Sequence, residues 1–422
     1  MKIYKFGGAS VKNADAVRNV ANIIAAEQQP LIIVVSAMGK ITNLLEEICN
    51  AYFYHTADPR THIETLRTYH NDIIRDLFTD PTAINTAVET LINELTLITN
   101  ETPSLSYDYE YDRIVSFGER ISTTIVSAYL NNIGTNNQLI DIRHAIKTDD
   151  NYRDANINMQ LSEKCAKTIF TFKNNTTRYL TQGFIAGTLT NQTTTLGREG
   201  SDYTAAVLAN LLQAESVTIW KDVPGVMNAD PKQFPEAQIM PHISYKEAVE
   251  LSHCGAQIIH PKTIKPLQNK GIKLHVKSFL NPTAPGTVIE EINTHIDIPP
   301  IYILKPNQLL LTLTPNDFSF VAEEKLSHIC ATLAKYRLHL HLLQQSAINF
   351  TILIDHNPQN FQQLLDELRT QYEIRYNQNV TLLTIRHYTE QAIATHTNGK
   401  NILVEQRSRL MAQYALTDKQ QK

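Results

Sequence analysis

The sequence predicts an α/β protein built on a mainly parallel sheet with helices on both faces, followed by a smaller region of different construction. Three observations carry this. Short β-branched runs alternate with helical stretches through the first part of the chain, the pattern of a parallel sheet. Thirteen of the 14 glycines lie at or before Gly286, and the change coincides with Pro282, Pro285, Pro299 and Pro300, which reads as a domain boundary. The chain has 422 residues, more than the roughly 250–300 that one core supports.

The elements follow in order. Ile3 to Phe6 and Leu31 to Val35 read as strands, and Ala14, Val17, Ala21 and Ile24 share one helical face between them, so the chain opens with a βαβ unit. Leu44 to Asn100 reads as largely helical and polar. Buried strands are expected at Gln138 to Ile142, Thr181 to Ile185 and Ser216 to Trp220. The last region reads strand, helix, strand, strand, helix: Leu309 to Leu313, Phe320 to Lys335, Leu338 to Leu343, Ile348 to Ile354 and Phe361 to Gln371. A shorter set follows, with strands at Val380 to Ile385, Asn401 to Glu405 and Arg409 to Ala415. That set is too small to bury a core alone, so it must complete a sheet with its neighbour or with another subunit.

Composition excludes several classes. A net charge of −4 with interspersed signs lacks the basic stripe of a nucleic-acid binder. No apolar run approaches the ~18–20 residues of a membrane span, and MKIYKFGG lacks a signal-peptide core. Cys49, Cys165, Cys254 and Cys330 are widely spaced, which favours reduced thiols and a cytoplasmic protein.

Two glycine loops carry the chemistry. In TTTLGREGSDYTAA (Thr193 to Ala206), Gly197 and Gly200 bracket Arg198 and Glu199, a Ser-Asp pair follows, and a helix begins. Such a turn exposes unpaired N–H groups and the positive end of the helix dipole, which suit an anion such as phosphate. KFGGAS (Lys5 to Ser10) repeats that logic and adds Lys5, whose charge can offset a transferring phosphoryl group. Its alternative is an edge lysine beside a turn. Arg198 can grip a carboxylate or phosphate with two N–H groups. Asp202 can cap the helix, orient Lys5, or both. Glu119 in SFGER can face a substrate ammonium or be a surface charge beside Arg120. Trp220 to Gly225 closes a strand in Asp222 and a Pro-Gly turn, a nucleotide rim or an ordinary β-turn. GxxxxGK[ST] and GxGxxG are both absent, and His253, Cys254 and His260 match no zinc spacing, so no metal site is expected.

Taken together and in order, KFGGAS, VVSAMG, TNL, SFGE, TQGFIAG, TTTLGREGSDYTAA, IWKDVPG, NADP, ELSHCGAQIIHPKT and PGT resemble the aspartate kinases of the amino-acid kinase superfamily, and they cover nearly all of residues 1–290. The resemblance implies that superfamily's three-layer sandwich over 1–297. It further implies ferredoxin-like ACT modules at 298–376 and, truncated, at 377–422. It implies transfer of the ATP γ-phosphoryl group to the β-carboxylate of L-aspartate, with Mg²⁺ carried by the nucleotide, as a first step toward lysine, threonine and methionine. By analogy Lys5 and Asp202 are catalytic, Asp202 orienting Lys5. Ser36, Thr42, Glu119, Arg198 and Ser201 hold aspartate. Lys5, Gly7, Gly8, Ser10, Lys221, Asp222, Met227, Lys232 and Gln257 lie on the nucleotide side. A homodimer through the C-terminal modules is implied, and an amino-acid effector is left open. The rivals are another amino-acid or carboxylate kinase and a catalytically silent, ACT-based regulatory protein.

The chain departs from the family pattern at several positions. The usual threonine of KFGGTS is Ala9, and GRGGSD reads GREGSD, so that Glu199 stands where glycine is common. A threonine usual before Asp222 is Lys221, an arginine usual after Asp-Pro is Lys232, and a phosphate-contacting lysine is Gln257. Lys221 is expected to replace that lost charge. In the first ACT-like module the effector loop reads Ser319-Phe320-Val321, and His341 aligns with the acid that grips the effector ammonium.

Overall fold

The computed structural model describes residues 1–172, 177–256, 259–292, 298–317, 319–320 and 323–419. The chain divides into two compact units. The first holds residues 1–226, 239–252 and 257–294, and the second holds 227–238, 253–256 and 295–422.

The first unit begins with β1 (Lys2–Phe6), α1 (Ala14–Ala26) and β2 (Leu31–Val35). All five residues of β2 have no solvent exposure, and each such aliphatic side chain stabilises the fold by about 1.5–3 kcal/mol. Four helices follow: α2 (Ile41–Tyr54), α3 (Pro59–Leu77), α4 (Thr82–Asn100) and α5 (Tyr107–Asn132). The chain then forms β3 (Gln138–Ile140), α6 (Ile142–Ala145), β4 (Lys147–Thr148), α7 (Met159–Ile169), β5 (Arg178–Gln182), β6 (Ile185–Thr188) and β7 (Thr193–Thr195). It continues through α8 (Gly200–Leu212), β8 (Ser216–Lys221), β9 (His242–Ser244), α9 (Tyr245–Cys254), α10 (Pro261–Gln268), β10 (Lys273–Ser278) and β11 (Thr287–Glu290).

The eight-stranded sheet has the order β3-β5-β2-β1-β8-β10-β11-β9 and is parallel except where β10 meets β11. Phe6 lies opposite both Val35 and Trp220, and Val35 lies opposite Gln182. The carboxyl ends of β1, β2, β5 and β8 are therefore level. The residues that follow them converge on one edge, where open α/β sheets bind ligands. A smaller sheet, β4-β6-β7, stands apart from this one.

The second unit contains β12 (Ile301–Pro315), α11 (Glu323–Lys335), β13 (Leu340–Gln345), β14 (Phe350–Asp355), α12 (Pro358–Leu368), β15 (Tyr372–Arg386), α13 (Glu390–Thr397), β16 (Lys400–Arg407) and β17 (Met411–Asp418). Its six strands run β13-β14-β12-β15-β17-β16 and are antiparallel throughout. β12 and β15, 15 residues each, run through both halves, so the short final set completes its neighbour's sheet.

Several expectations need correction. The strand expected at Thr181 to Ile185 is two strands in two sheets. Gly183 must clear the Ser201 side chain, and Phe184 adopts φ 66°, which turns the chain out of the main sheet. The strand at Gln138 to Ile142 is an edge strand with Leu139 38% exposed. It stops because Asp141 caps α6, accepting from the Arg143 amide at 3.0 Å. Thr193 to Thr195, read as part of a glycine loop, is a strand. The strand at Leu309 to Leu313 is the second half of a longer one, and α13 was not expected. Phe320 precedes its helix and is exposed, and Val321 lies outside the described residues. His341 faces Asp355 at 2.8 Å and Lys305 at 3.3 Å. Among the described residues, no helix is long and apolar enough to cross a membrane.

Candidate active site

The level strand ends surround a cavity of about 520 Å³, within the range of small-molecule sites. Lys5, at the end of β1, points into it. Its ammonium lies 2.6 Å from Oδ1 of Asp202, and Lys221, the last residue of β8, lies 3.7 Å from Oδ2. Burial would push the Asp202 carboxyl up, but the two lysines outweigh it and hold the carboxyl below the usual range. Asp202 is thus the ion-pair partner of Lys5. It is not the helix cap: that position belongs to Glu199, and Asp202 lies in the first turn of α8.

The loop after Lys5 is shaped by close backbone approach. A Cβ on Gly8 would lie 2.7 Å from the carbonyl oxygens of Ala37 and Gly39, so only glycine fits. Gly7 precedes a 3-10 turn (Gly8–Val11), and the buried Ser10 hydroxyl donates to the Gly7 carbonyl at 2.6 Å. Ser10 therefore shapes the turn and does not line the cavity.

The opposite wall comes from α5. Gly118 lets this helix pack against the loop after β2, since a Cβ there would meet that of Ala37 at 2.9 Å. That approach delivers Glu119, which is buried, so its reading as a surface charge does not hold. The Ala37 amide donates to its Oε1 at 3.1 Å, while Oε2 has no hydrogen-bond partner. Burial pushes the Glu119 carboxyl up to about 8, only partly offset by that amide and by Lys5. Ser36 and Thr42 line the same wall.

Arg198, exposed, and Ser201 complete the third wall. The structure thus brings together Lys5, Gly8, Ser36, Thr42, Glu119, Arg198, Ser201, Asp202 and Lys221 around one cavity. Asp222 is exposed and outside the lining, Met227 and Lys232 belong to the second unit, and Gln257 lies outside the described residues.

Four lining residues were not singled out from the sequence: Tyr111, Arg153, Phe184 and Thr195. Phe184 sits inside the quoted TQGFIAG motif, but Arg153 carries no glycine, turn or charge-spacing signal. Arg153 (φ 70°), Phe184 (φ 66°) and Glu199 (φ 52°) all hold left-handed backbone without being glycine. Such strain concentrates at functional sites. Arg153 is fixed from below by Asp112, whose Oδ2 accepts from the amides of Arg153 at 3.0 Å and Thr195 at 2.8 Å. The Thr195 hydroxyl donates to Oδ1 at 2.7 Å, yet burial still pushes this carboxyl up to about 6. Asp112→Asn must turn an NH₂ toward one of these donors. It is expected to cost on the order of 2–3 kcal/mol and to raise the KM for the substrate held by this wall. Thermal unfolding and steady-state kinetics of the variant check this.

Comparison with known proteins agrees with this geometry. The model of the Amino acid kinase family matches residues 1–278. The lysine-sensitive aspartokinase 3 of Escherichia coli K12 is 30% identical over 362 residues, covering 84% of this chain and 78% of its own. The aspartokinase of Chlamydia pneumoniae is 30% identical over 391 residues, covering 91% and 84%. Two structures of E. coli aspartokinase III, one with lysine and aspartate and one with aspartate and ADP, superpose with TM-scores of 0.85 and 0.81. Each is 26% identical and covers 99% of this chain and 96% of the other. The chain belongs to the amino acid kinase family and, within it, to the aspartokinases.

Proposed function

We propose that this chain transfers the γ-phosphoryl group of ATP to the β-carboxylate of L-aspartate, giving 4-phospho-L-aspartate and ADP. The observation that carries this reading is the disposition of charge around one cavity. A lysine pair locked on Asp202 stands at the sheet edge, Arg198 on one wall, and Glu119 with an unpartnered oxygen on the other. Glu119 takes the substrate ammonium and Arg198 a carboxylate, with Ser36, Thr42 and Ser201 fixing its orientation. The β-carboxylate is ionised at neutral pH and needs no general base. Its oxygen forms the new bond to phosphorus as the bond to the ADP oxygen breaks. Lys5 offsets the charge on the transferring group, and the backbone around Gly7 and Gly8 receives the phosphates. Asp202 is already shared by two lysines, so Mg²⁺ would be carried in by the nucleotide and would supply neutralisation of its charge.

The direct test is ATP-dependent acyl-hydroxamate formation from L-aspartate and hydroxylamine. Folded protein that binds ATP but forms no product would support the silent regulatory alternative. Repeating the assay with lysine, threonine and methionine identifies an effector. Lys221 lines the cavity where the family carries an uncharged residue, and we assign it the phosphate-side charge. Lys221→Met is expected to raise the KM for ATP about tenfold, as loss of a charge-assisted contact does; an unchanged KM and kcat refutes the assignment.

We also infer a homodimer through the second unit, whose sheet ends in the edge strands β13 and β16. Light scattering on the full chain tests this. Cys49, Cys165 and Cys330 are free thiols, which supports a cytoplasmic setting.

A further inference from the structure

We infer that Glu199, standing where its relatives commonly carry glycine, is a positioning residue that moors the Arg198 loop to the turn opening α10. The inference rests on the function proposed above. Glu199 is the N-cap position of α8 and holds φ 52°, a backbone state that costs every side chain except glycine's. The side chain therefore has to return something for that strain. What it makes is specific: the His260 backbone N–H donates to Oε2 of Glu199 at 2.9 Å. His260 is itself the N-cap of α10, and its N–H is one of the donors a helix start leaves unpaired. A carboxylate there is further favoured by the positive end of the helix.

Neighbouring contacts form a junction with this one. Lys262, in the first turn of α10, donates to the carbonyl of Leu196 at 3.3 Å and pairs with Asp154. Its ammonium also lies 5.4 Å over the Tyr203 ring of α8. Leu196 and Glu199 flank Gly197 and Arg198, so the Arg198 loop is held at both ends by the turn 260–262. Gly197 alone, at φ 76°, would let the loop swing. Glu199 is also one of the cavity's lining residues, and the carboxylate oxygen it commits to the His260 amide is engaged in the mooring.

The test uses Glu199→Gly, Glu199→Ala and Glu199→Gln in the full chain, with KM for aspartate and ATP, kcat, the Mg²⁺ dependence and thermal unfolding. Glu199→Gln keeps an oxygen that accepts the same N–H, and its KM for aspartate is expected within about twofold of the parent. Glu199→Gly and Glu199→Ala are expected to raise that KM about five- to tenfold, with the KM for ATP unchanged. Glu199→Gly relieves backbone strain as it loses the mooring, so its melting point should stay within about 3 °C of the parent. A higher KM without loss of stability separates positioning from general structural support. An unchanged aspartate KM in Glu199→Gly overturns the inference. So does a Gln variant as impaired as the Ala variant with a shifted Mg²⁺ dependence, which would assign the charge to the metal–nucleotide complex. Calorimetric titration of aspartate into parent and Glu199→Gly reads the mooring independently of turnover. A parent without activity would refute the proposed function and leave this comparison standing.

Discussion

Replacing Lys5 by methionine is expected to reduce kcat by about 10²–10³-fold or more, the usual consequence of removing a preorganised charge from a transferring group. Lys5 is the cation closest to Asp202, and both are nearly withdrawn from solvent, with side-chain exposures of 11% and 3%. Methionine fills part of that space but supplies no charge to replace the missing ammonium. The variant also disturbs the fold, because removing one partner of a buried pair strands the other, at a typical cost of about 3–5 kcal/mol. Lys221 remains 3.7 Å from the second oxygen and limits that loss.

Activity and stability are therefore separable. Lys5→Met combined with Asp202→Asn is expected to recover much of the lost stability without recovering any turnover. The pH dependence gives a second check. The Asp202 carboxyl is held below its ordinary 3.8, so its contribution is present above that value and is lost as pH falls through its folded pKa. In Lys5→Met the acid limb of the stability profile should shift upward, because the stronger of the two lysine contacts is gone. A Lys5→Met protein that turns over at the parent's rate would remove Lys5 from the chemistry.

How much of this was legible beforehand depends on what each residue owes to local sequence. Lys5, Arg198, Asp202 and Glu119 were readable because each lies within two residues of a glycine, and a glycine marks where backbone must approach or turn. Gly8 and Gly118 show the reason directly, since a Cβ on either would meet the Ala37 segment. The βαβ start was readable because β2 is apolar at every position. By contrast, Arg153 takes left-handed backbone with no glycine to announce it, and Gly183 marks a close approach without revealing that its neighbour Phe184 is the left-handed residue that breaks β5 from β6. The purpose of Glu199 was hidden for a different reason. Its partner is a backbone amide 61 residues away, and a backbone donor has no sequence signature. The exposed strand β3 was overrated because apolar letters do not say whether a strand lies at a sheet's edge or its centre.

Glu119→Gln is expected to stabilise the fold while weakening aspartate binding, two effects with one cause. The Glu119 carboxyl is buried and is pushed from 4.5 up to about 8, with the Ala37 amide, its own amide and Lys5 offsetting burial only in part. A raised carboxyl pKa means that the unfolded chain ionises while the folded one stays protonated. Stability contributed by this group is therefore lost progressively as pH rises from about 4.5 toward 8 and is constant beyond that window. Glutamine keeps the acceptor for the Ala37 amide and does not ionise. Its melting point relative to the parent should climb across that window, by an amount on the order of a few kcal/mol of stability. Aspartate binding runs the other way. The unpartnered Oε2 is the atom available to an ammonium, and pairing with it favours the ionised form. The parent should release close to one proton per aspartate bound at pH 7, and its affinity should fall as pH drops below about 8. Removing the charge loses about 1.5–3 kcal/mol of charge-assisted hydrogen bonding, so the KM for aspartate should rise about 10- to 150-fold and lose its pH dependence in this window. Titration calorimetry in buffers of different ionisation enthalpy measures the proton directly. Zero proton release by the parent, with a KM constant between pH 6.5 and 8.5 (values spanning roughly the expected midpoint), would show that Glu119 does not face the ammonium.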